Sequence, residues 1–449
     1  MAAQPSNGQQ HGPGITRIAV TGFKSLATKT DVEIRPLTVL AGANSSGKSS
    51  LMQPLLLMKQ TLESSVVPAG PFLLSGPYTR YTETKQFLTS GMGTASNPPR
   101  FSVDFTIDGD LDVGYTYAVK PNTEFDLIQM RIKDSKDQMG WMIDENVKDD
   151  YRNNFIRQKT SGSIGGPVSL SLVRHKYFYR TCVIRLSSDS SFDRQILDIG
   201  ATLDLNNRIR RILYVPGLRG DQLRKWLLAE VPATNVYEGP FESYVPSIIE
   251  YWQQTNPRIS PSINELNAAL KLLGLASSVR TLRLNESEVE MRVPRTFNPD
   301  DNDYINVADV GLAVHTVLPV LVALIQAAPG QLVYIEQPEL HLHPKAQVLM
   351  AQLLADAANR GVQLVIETHS SLLLRGILTE VAKDKIANDK VILHWFERDK
   401  ETGVSKVHSK EPDAGGRVGD WPEDFSDVEL RSDNDYLDAV EEKLYAGKK

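Results

Sequence analysis

The sequence predicts an α/β fold with an inserted β-rich and helical lobe, and three observations predict it. An apolar strand runs into a Gly-rich turn and then a helix in "PLTVLAGANSSGKSSLMQPLLLMKQTL", residues 36 to 62. Two later apolar strands, in "GQLVYIEQPELHLHP" and "VQLVIETHSSLLL", each end in a carboxylate, at Glu336 and Glu367. Ligands bind at that end of the strands in open α/β sheets. From 100 to about 215, "RFSVDFTIDG", "VGYTYAVK", "PVSLSLV" and "YFYRTCVIRL" alternate apolar and polar residues between polar turns, as strands do.

In chain order, the start "MAAQPSNGQQHGPG" lacks a basic stretch followed by an apolar one, so residues 1–14 read as a disordered polar tail. Cytoplasm is therefore the expected compartment. "ITRIAVTGFKSLATKTDVEIRP" then alternates around "GFKSL" with a polar turn near Thr28 to Asp31, a pair of strands expected on the adenine and ribose side of a nucleotide.

The loop "GANSSGKS" fits G-x-x-x-x-G-K-[ST] at Gly42, Gly47, Lys48 and Ser49, with Asn44, Ser45, Ser46 and Ser50 completing the cradle. Phosphate needs this pattern because glycines let the backbone turn its N–H groups inward, and the helix N-terminus adds partial positive charge. Lys48 is expected to neutralise the β- and γ-phosphates and Ser49 to put its hydroxyl on Mg²⁺. Leu51, Leu55, Met58 and Leu62 carry the helical period, while Pro54 removes one helical hydrogen bond and threatens a kink.

Glu336 fits the second-strand acid that holds Mg²⁺, directly or through water. His369, three residues into "IETHS", can sense the γ-phosphate. "IEQPELHLHP" also admits a metal reading through His341 and His343. Without cysteine partners or an H-x-x-x-H spacing, two histidines capping a turn before a helix are the better expectation.

Size and composition narrow the function classes. The 449 residues can bury two or three domains or one large elaborated one, and no apolar run is long enough for a membrane span. Cys182, the single cysteine, excludes an internal disulfide framework and a thiolate-rich zinc site, and reads as an idle strand thiol. The net charge of −6 excludes a globally basic nucleic-acid binder. A local basic cluster remains in "NNRIRRILYVPGLRGDQLRKW", with Arg208, Arg210, Arg211, Arg219, Arg224 and Lys225 beside Tyr214 and Trp226. It suits a phosphate backbone, and equally a solvated or ion-paired face.

The phosphate loop, "IEQPELHLHP" and "ETHS" together resemble the ABC-type ATPase heads related to the RecF, structural-maintenance-of-chromosomes and overcoming-lysogenization-defect families. That resemblance implies a P-loop ABC-type ATPase head with a mixed sheet, binding ATP and Mg²⁺. Glu336 takes the Walker B role and His369 the switch role. It also implies a homo-oligomer, at least a dimer, because a signature segment of one protomer caps the γ-phosphate held by the other. The candidate segment is "NVADVGLAVHTVLPVLVALIQ", where Gly311 and His315 stand in a pattern that departs from the relatives' G-x-G-x-S-Q. Relatives often place a glutamate directly after the Walker B acid; here Gln337 occupies that place, which can orient water but cannot take its proton. Slow hydrolysis is expected, with Glu339 the alternative base.

No sustained heptad marks a long coiled-coil arm. The expected organisation is an N-terminal ATPase lobe at 15–100, the inserted lobe at 101–300, a C-terminal ATPase lobe at 301–385, and a hairpin with an acidic helix at 386–449. The last part, through W-F-E, the G-R loop and W-P-E-x-F, resembles a C-terminal domain that accompanies many prokaryotic ATPases of this group, with Trp421 and Phe425 as anchors. Compact heads of this type resemble the ATPase subunits of anti-phage systems such as Septu and PARIS, which implies a separate effector protein. A clamp acting directly on nucleic acid and a nucleotide-gated scaffold with negligible catalysis stand as alternatives. No spacing fixes a Mg²⁺-sensing glutamine, for which Gln86 is the candidate.

Overall fold

The strand–loop–helix unit sits at the centre of a six-stranded mixed sheet in a computed structural model. The structure describes residues 14–91, 98–119, 125–135, 139–144, 168–186, 192–197, 200–219, 223–255, 262–300, 302–419 and 435–440. Across the central sheet the order is Leu213–Val215, Leu332–Glu336, Gln363–Thr368, Leu37–Gly42, Val391–Arg398 and Ser405–Lys410. The first five run parallel and the last pairs antiparallel with its neighbour. Parallel strands covered on both faces read as continuous apolar runs, and Leu37–Gly42 is buried at every position.

The two faces of this sheet feed two cores. Val39, Ala41, Val333, Ile335, Leu364, Ile366 and Leu393 pack with residues of the helices Leu312–Gln326, Pro344–Asn359 and Ser371–Ala382. Leu40, Tyr334, Val365 and Phe396 pack on the other side with the helix Lys48–Glu63. That helix continues through Pro54, which is buried. Beyond it lies an antiparallel sheet ordered Thr30–Glu33, Ile15–Thr21, Arg100–Ile107, Leu111–Val119, Phe125–Asp134 and Met139–Asp144. The strands expected on either side of the Thr28–Asp31 turn are therefore neighbours, and the first two alternating segments, "RFSVDFTIDG" and "VGYTYAVK", extend the same sheet.

Val168–His175, Phe178–Leu186 and Phe192–Leu197 form a separate three-stranded antiparallel sheet, with Cys182 on its middle strand. A helix, Gly200–Arg210, follows, within a stretch that reads as β-rich in sequence. Leu205 and Ile209 are buried four residues apart, the spacing of one helix face. The helix Val245–Gln254 lies against the small antiparallel sheet of Trp226–Leu227, Arg280–Arg283, Glu288–Pro294 and Tyr304–Asn306, and the helix Ser262–Leu272 packs beside it. Residues 435–440 are helical within the expected acidic helix, while Trp421 and Phe425 lie outside the described residues. No helix among the described residues is long and apolar enough to cross a membrane.

Register decides what meets at the sheet's carboxyl end. Glu336 pairs directly with Glu367, and Thr368 with Ala41, so Glu367 emerges beside the phosphate loop with Glu336 one strand farther out.

Candidate functional site

The phosphate loop is shaped by two glycines in conformations that other residues avoid. Gly42 has φ of 140° and Gly47 of 103°, and a Cβ on Gly42 would lie 2.2 Å from the Phe396 carbonyl oxygen. Ser45 shares the left-handed region at φ 60°. Lys48 is 3 % exposed, and its Nζ donates to the carbonyls of Gly42 at 3.1 Å and Ala43 at 2.8 Å. Burial pushes its pKa down, partly offset by the charge of Glu367. Ser46 Oγ is buried with no hydrogen-bond partner among the described residues.

Ser45, Ser46, Gly47, Lys48, Ser49 and Ser50 line a cleft of about 650 Å³ with Glu367 and His369. Asn44 is exposed and outside that lining, and Gly42 packs beneath it. The "GFKSL" turn reaches the same cleft through Lys24, Ser25 and Ala27, and the turn between the last two strands through Arg398, Thr402 and Gly403. Gln86 also lines it, but its side-chain oxygen accepts from the backbone of Thr82 and its nitrogen donates to the Thr82 hydroxyl. Its amide is thus spent on its own turn.

Behind the loop the carboxylates divide. Ser49 Oγ donates to Glu367 Oε1 at 2.8 Å, and Tyr334 donates to Glu367 Oε2 at 2.8 Å. Burial raises the Glu367 pKa, and the neighbouring charge of Glu336 raises it further, against the hydrogen bonds from Tyr334 and Ser49. Glu336 is engaged elsewhere. Its Oε1 accepts from Tyr214 at 3.0 Å and from Tyr334 at 3.1 Å, and its Oε2 accepts from the Gly217 backbone at 3.0 Å. The rings of Tyr214 and Tyr334 stack at 5.3 Å behind it.

Gln337 has φ of 47°, its N–H donates to the Glu367 carbonyl at 2.7 Å, and it is not among the residues lining the cleft. Glu339 does not line the cleft either. It is 8 % exposed, and its Oε1 accepts from Thr368 Oγ1 at 2.7 Å and from the His369 backbone at 3.2 Å. Burial raises its pKa. His369 is half-buried at the cleft. Burial lowers its pKa, the nearby Lys48 lowers it more, and a hydrogen bond with the Gly42 backbone opposes both.

Gly311 and His315 stand at the start of the helix Leu312–Gln326, apart from this cleft. Space is open around Gly311, and Leu312 is exposed. The His315 ring lies 6.5 Å from that of Trp226, and both line a second cavity of about 400 Å³ with Arg219. His343 caps the helix Pro344–Asn359, its Nδ1 accepting from the Lys345 backbone. Among the described residues no group of three or more His, Cys, Asp or Glu could hold a metal ion.

The basic cluster is largely spent within the chain. Arg208 pairs with Asp204 and Asp108, Arg224 with Asp309, and Lys225 with Glu288. Arg210 donates to the Leu62 carbonyl. Arg219 donates to the carbonyls of Thr316, Glu336 and Gln337 at 3.0, 2.6 and 2.8 Å, tying the candidate signature helix to the strand end. Burial lowers its pKa to about 10.

Two residues central to this geometry, Glu367 and Arg219, stand in the sequence at a strand's ligand end and in the basic cluster, with no role assigned to them at the nucleotide site. The signal for Glu367 was the repetition of "YIE" as "VIE", two apolar strands ending in glutamate.

Residues 37–375 match the family model described as "AAA domain, putative AbiEii toxin, Type IV TA system". Among solved structures, the chain is similar to a structural-maintenance-of-chromosomes head bound to the C-terminal winged-helix domain of ScpA, at 13 % identity and a TM-score of 0.43, covering 89 % of this chain and 98 % of that one. It is also similar to the head domain from Thermotoga maritima, at 11 % identity and 0.37, covering 88 % and 98 %. A Pyrococcus furiosus head with an extended coiled coil, bound to the C-terminal domain of ScpA, gives 13 % and 0.40 over 89 % and 96 %. No curated protein matches the sequence.

Proposed function

The chain belongs to that AAA domain family, and from this premise we propose that it is a slowly hydrolysing ATPase whose ATP- and Mg²⁺-bound form pairs two copies and gates a separate effector protein. The observation that carries the reading is the Lys48 and Ser49 pair on a helix N-terminus, opening into a cleft of about 650 Å³ beside Glu367 and His369. That volume is within the range of small-molecule and cofactor sites.

The donor set suits a Mg²⁺ nucleotide. The buried Ser46 hydroxyl lacks a partner among the described residues, the loop glycines clear space for phosphate, and Lys48 supplies a cation. Ser49 and a strand-end carboxylate beside it would hold Mg²⁺, which would supply positive charge against the negative charge that develops on the phosphate. Lys48 would exchange its carbonyl partners for phosphate oxygens. His369, kept neutral by burial and by Lys48, would turn its single ring N–H from the Gly42 backbone toward the γ-phosphate. The Gln337 amide can orient water but takes no proton, which favours slow turnover. Glu339 would act as an anchor for the His369 segment rather than as a base.

Pairing is supported by the absence of Gly311 from the cleft lining and by its open surroundings, which would let a second copy's phosphate approach the helix Leu312–Gln326. The gating of a separate effector in anti-phage defence draws on the chain's resemblance to the compact ATPase subunits of such systems. The test is binding of a fluorescent ATP analogue, phosphate release and light-scattering mass in Mg²⁺, beside Lys48→Ala. Nucleotide binding and ATP-dependent pairing in the native chain, both lost in the variant, are expected. A native chain that binds no nucleotide sinks the reading. Mass spectrometry of copurifying proteins with and without ATP then identifies any effector.

A further inference from the structure

Two glutamates reach the end of the central sheet side by side, yet only one of them meets the phosphate loop. Resting on the nucleotide reading above, we propose that Glu367 is the carboxylate that faces the bound Mg²⁺ nucleotide, and that Glu336, the residue expected in that role, is a positioning residue acting through Tyr334.

Ser49 is the hydroxyl a phosphate loop gives to the metal, and its partner at 2.8 Å is Glu367 Oε1. Glu367 lines the cleft and Glu336 does not. Both oxygens of Glu336 already accept hydrogen bonds, from Tyr214 and Tyr334 on one and Gly217 on the other. A carboxylate held from both sides in this way is oriented into the protein. Glu367 instead has one oxygen on Tyr334 and the other on the serine at the cleft floor.

The shared hydroxyl links the two roles. Tyr334 lies within hydrogen-bond distance of both carboxylates but has one proton to give. Because Glu336 and Glu367 are direct register partners, each proton donated to one is withheld from the other. Two adjacent anions in a buried setting repel, and a divalent cation on the cleft side relieves that repulsion where Gln337 adds no charge of its own. Tyr334 can then turn to Glu336 and leave Glu367 to the metal.

The experiment separates metal from nucleotide. A fluorescent ATP analogue is titrated in EDTA and in Mg²⁺, and bound Mn²⁺ is counted by electron paramagnetic resonance in the presence of ATP. Glu367→Gln should keep its affinity in EDTA, which also reports that the site is folded, and lose the gain given by Mg²⁺ by about 10- to 100-fold. Glu336→Gln, whose amide oxygen can still accept from both tyrosines, should lose at most a small part of that gain. If Glu367→Gln folds poorly, Glu367→Asp keeps the charge but withdraws it, and should give an intermediate gain with weakened Mn²⁺ binding. The reverse order, with Glu336→Gln losing the gain and Glu367→Gln keeping it, overturns the assignment. So does an unchanged gain in both variants, which would make the Ser49 contact structural only. A native chain that binds no nucleotide in either buffer removes the underlying reading itself.

Discussion

Glu339 Oε1 accepts hydrogen bonds from the Thr368 hydroxyl at 2.7 Å and from the His369 backbone, so a buried carboxylate in the loop after one strand fixes the end of the next. Truncation to alanine would leave both donors unpaired and open a void. Glu339→Ala should lose about 2–4 kcal/mol in urea unfolding. Glu339→Gln keeps an acceptor and the volume, and should lose less while still binding nucleotide. A Glu339→Gln variant that is fully stable yet has turnover cut a hundredfold or more would restore this residue as the base, since general bases contribute about 10²–10⁴.

Arg219 is a buried clasp whose guanidinium hydrogen-bond acceptors, among the described residues, are backbone carbonyls. Its three carbonyl acceptors belong to Thr316, Glu336 and Gln337, so it couples the helix that begins at Leu312 to the strand end. Removing it strands those acceptors, and Arg219→Met should cost about 3 kcal/mol. A lysine has no planar fork and should restore only part of that. Chemical denaturation of the three proteins ranks them. Equal midpoints would show that the clasp is dispensable.

Gly47 tests the loop itself. A Cβ there would lie 2.5 Å from Ser405 Oγ and 2.8 Å from Ser25 Oγ, on a backbone at φ 103°. Gly47→Ala should therefore abolish binding of the ATP analogue and lower stability by about 1–3 kcal/mol. Retained affinity would mean that the Ser25 and Ser405 contacts yield easily.

His394 sets an acid limit. Its Nε2 can only donate to the Glu33 carbonyl at 2.8 Å, which leaves Nδ1 to accept from the Ser409 hydroxyl at 2.8 Å. Burial lowers its pKa to about 4. Between the unfolded value near 6.5 and the folded value near 4, the unfolded chain binds the proton and the folded chain does not. The stability it contributes is present above about pH 6.5 and is lost as pH falls toward 4, amounting to about 3 kcal/mol. Unfolding free energies measured from pH 7 to 4 should fall steeply in the native chain and less steeply in His394→Gln. Parallel curves would place the acid sensitivity elsewhere.

The features legible in the amino-acid sequence are those encoded locally. The phosphate loop is a contiguous motif flanked by a buried strand and a helix, and the two strand-end glutamates carry their apolar runs with them. Lateral order is not local. Gln363–Thr368 lies between Leu332–Glu336 and the phosphate-loop strand, so the glutamate nearest Ser49 comes from the second acidic strand. Nothing within either strand specifies that neighbour. The basic cluster was ambiguous for the same reason, since Arg208, Arg224 and Lys225 find Asp108, Asp309 and Glu288 far away in sequence. The helix Gly200–Arg210 was obscured by the alternating segments that precede it, although Leu205 and Ile209 mark its buried face.

The seating of the phosphate loop also bears on synthesis. Ser405 Oγ donates to the Ser46 carbonyl, its backbone N–H donates to the Ser25 carbonyl, and the strand Leu37–Gly42 is paired on both sides by strands that begin at Gln363 and Val391. A nascent chain emerging from the ribosome therefore carries its nucleotide loop for more than three hundred residues before either flanking strand exists. Contacts this distant along the chain form late and slowly, and domains otherwise tend to fold from the N-terminal side as they appear. The unpaired edges of Leu37–Gly42 would in the meantime be open to wrong pairing, and a bound nucleotide would stabilise the protein only after translation has passed the hairpin of Val391–Arg398 and Ser405–Lys410.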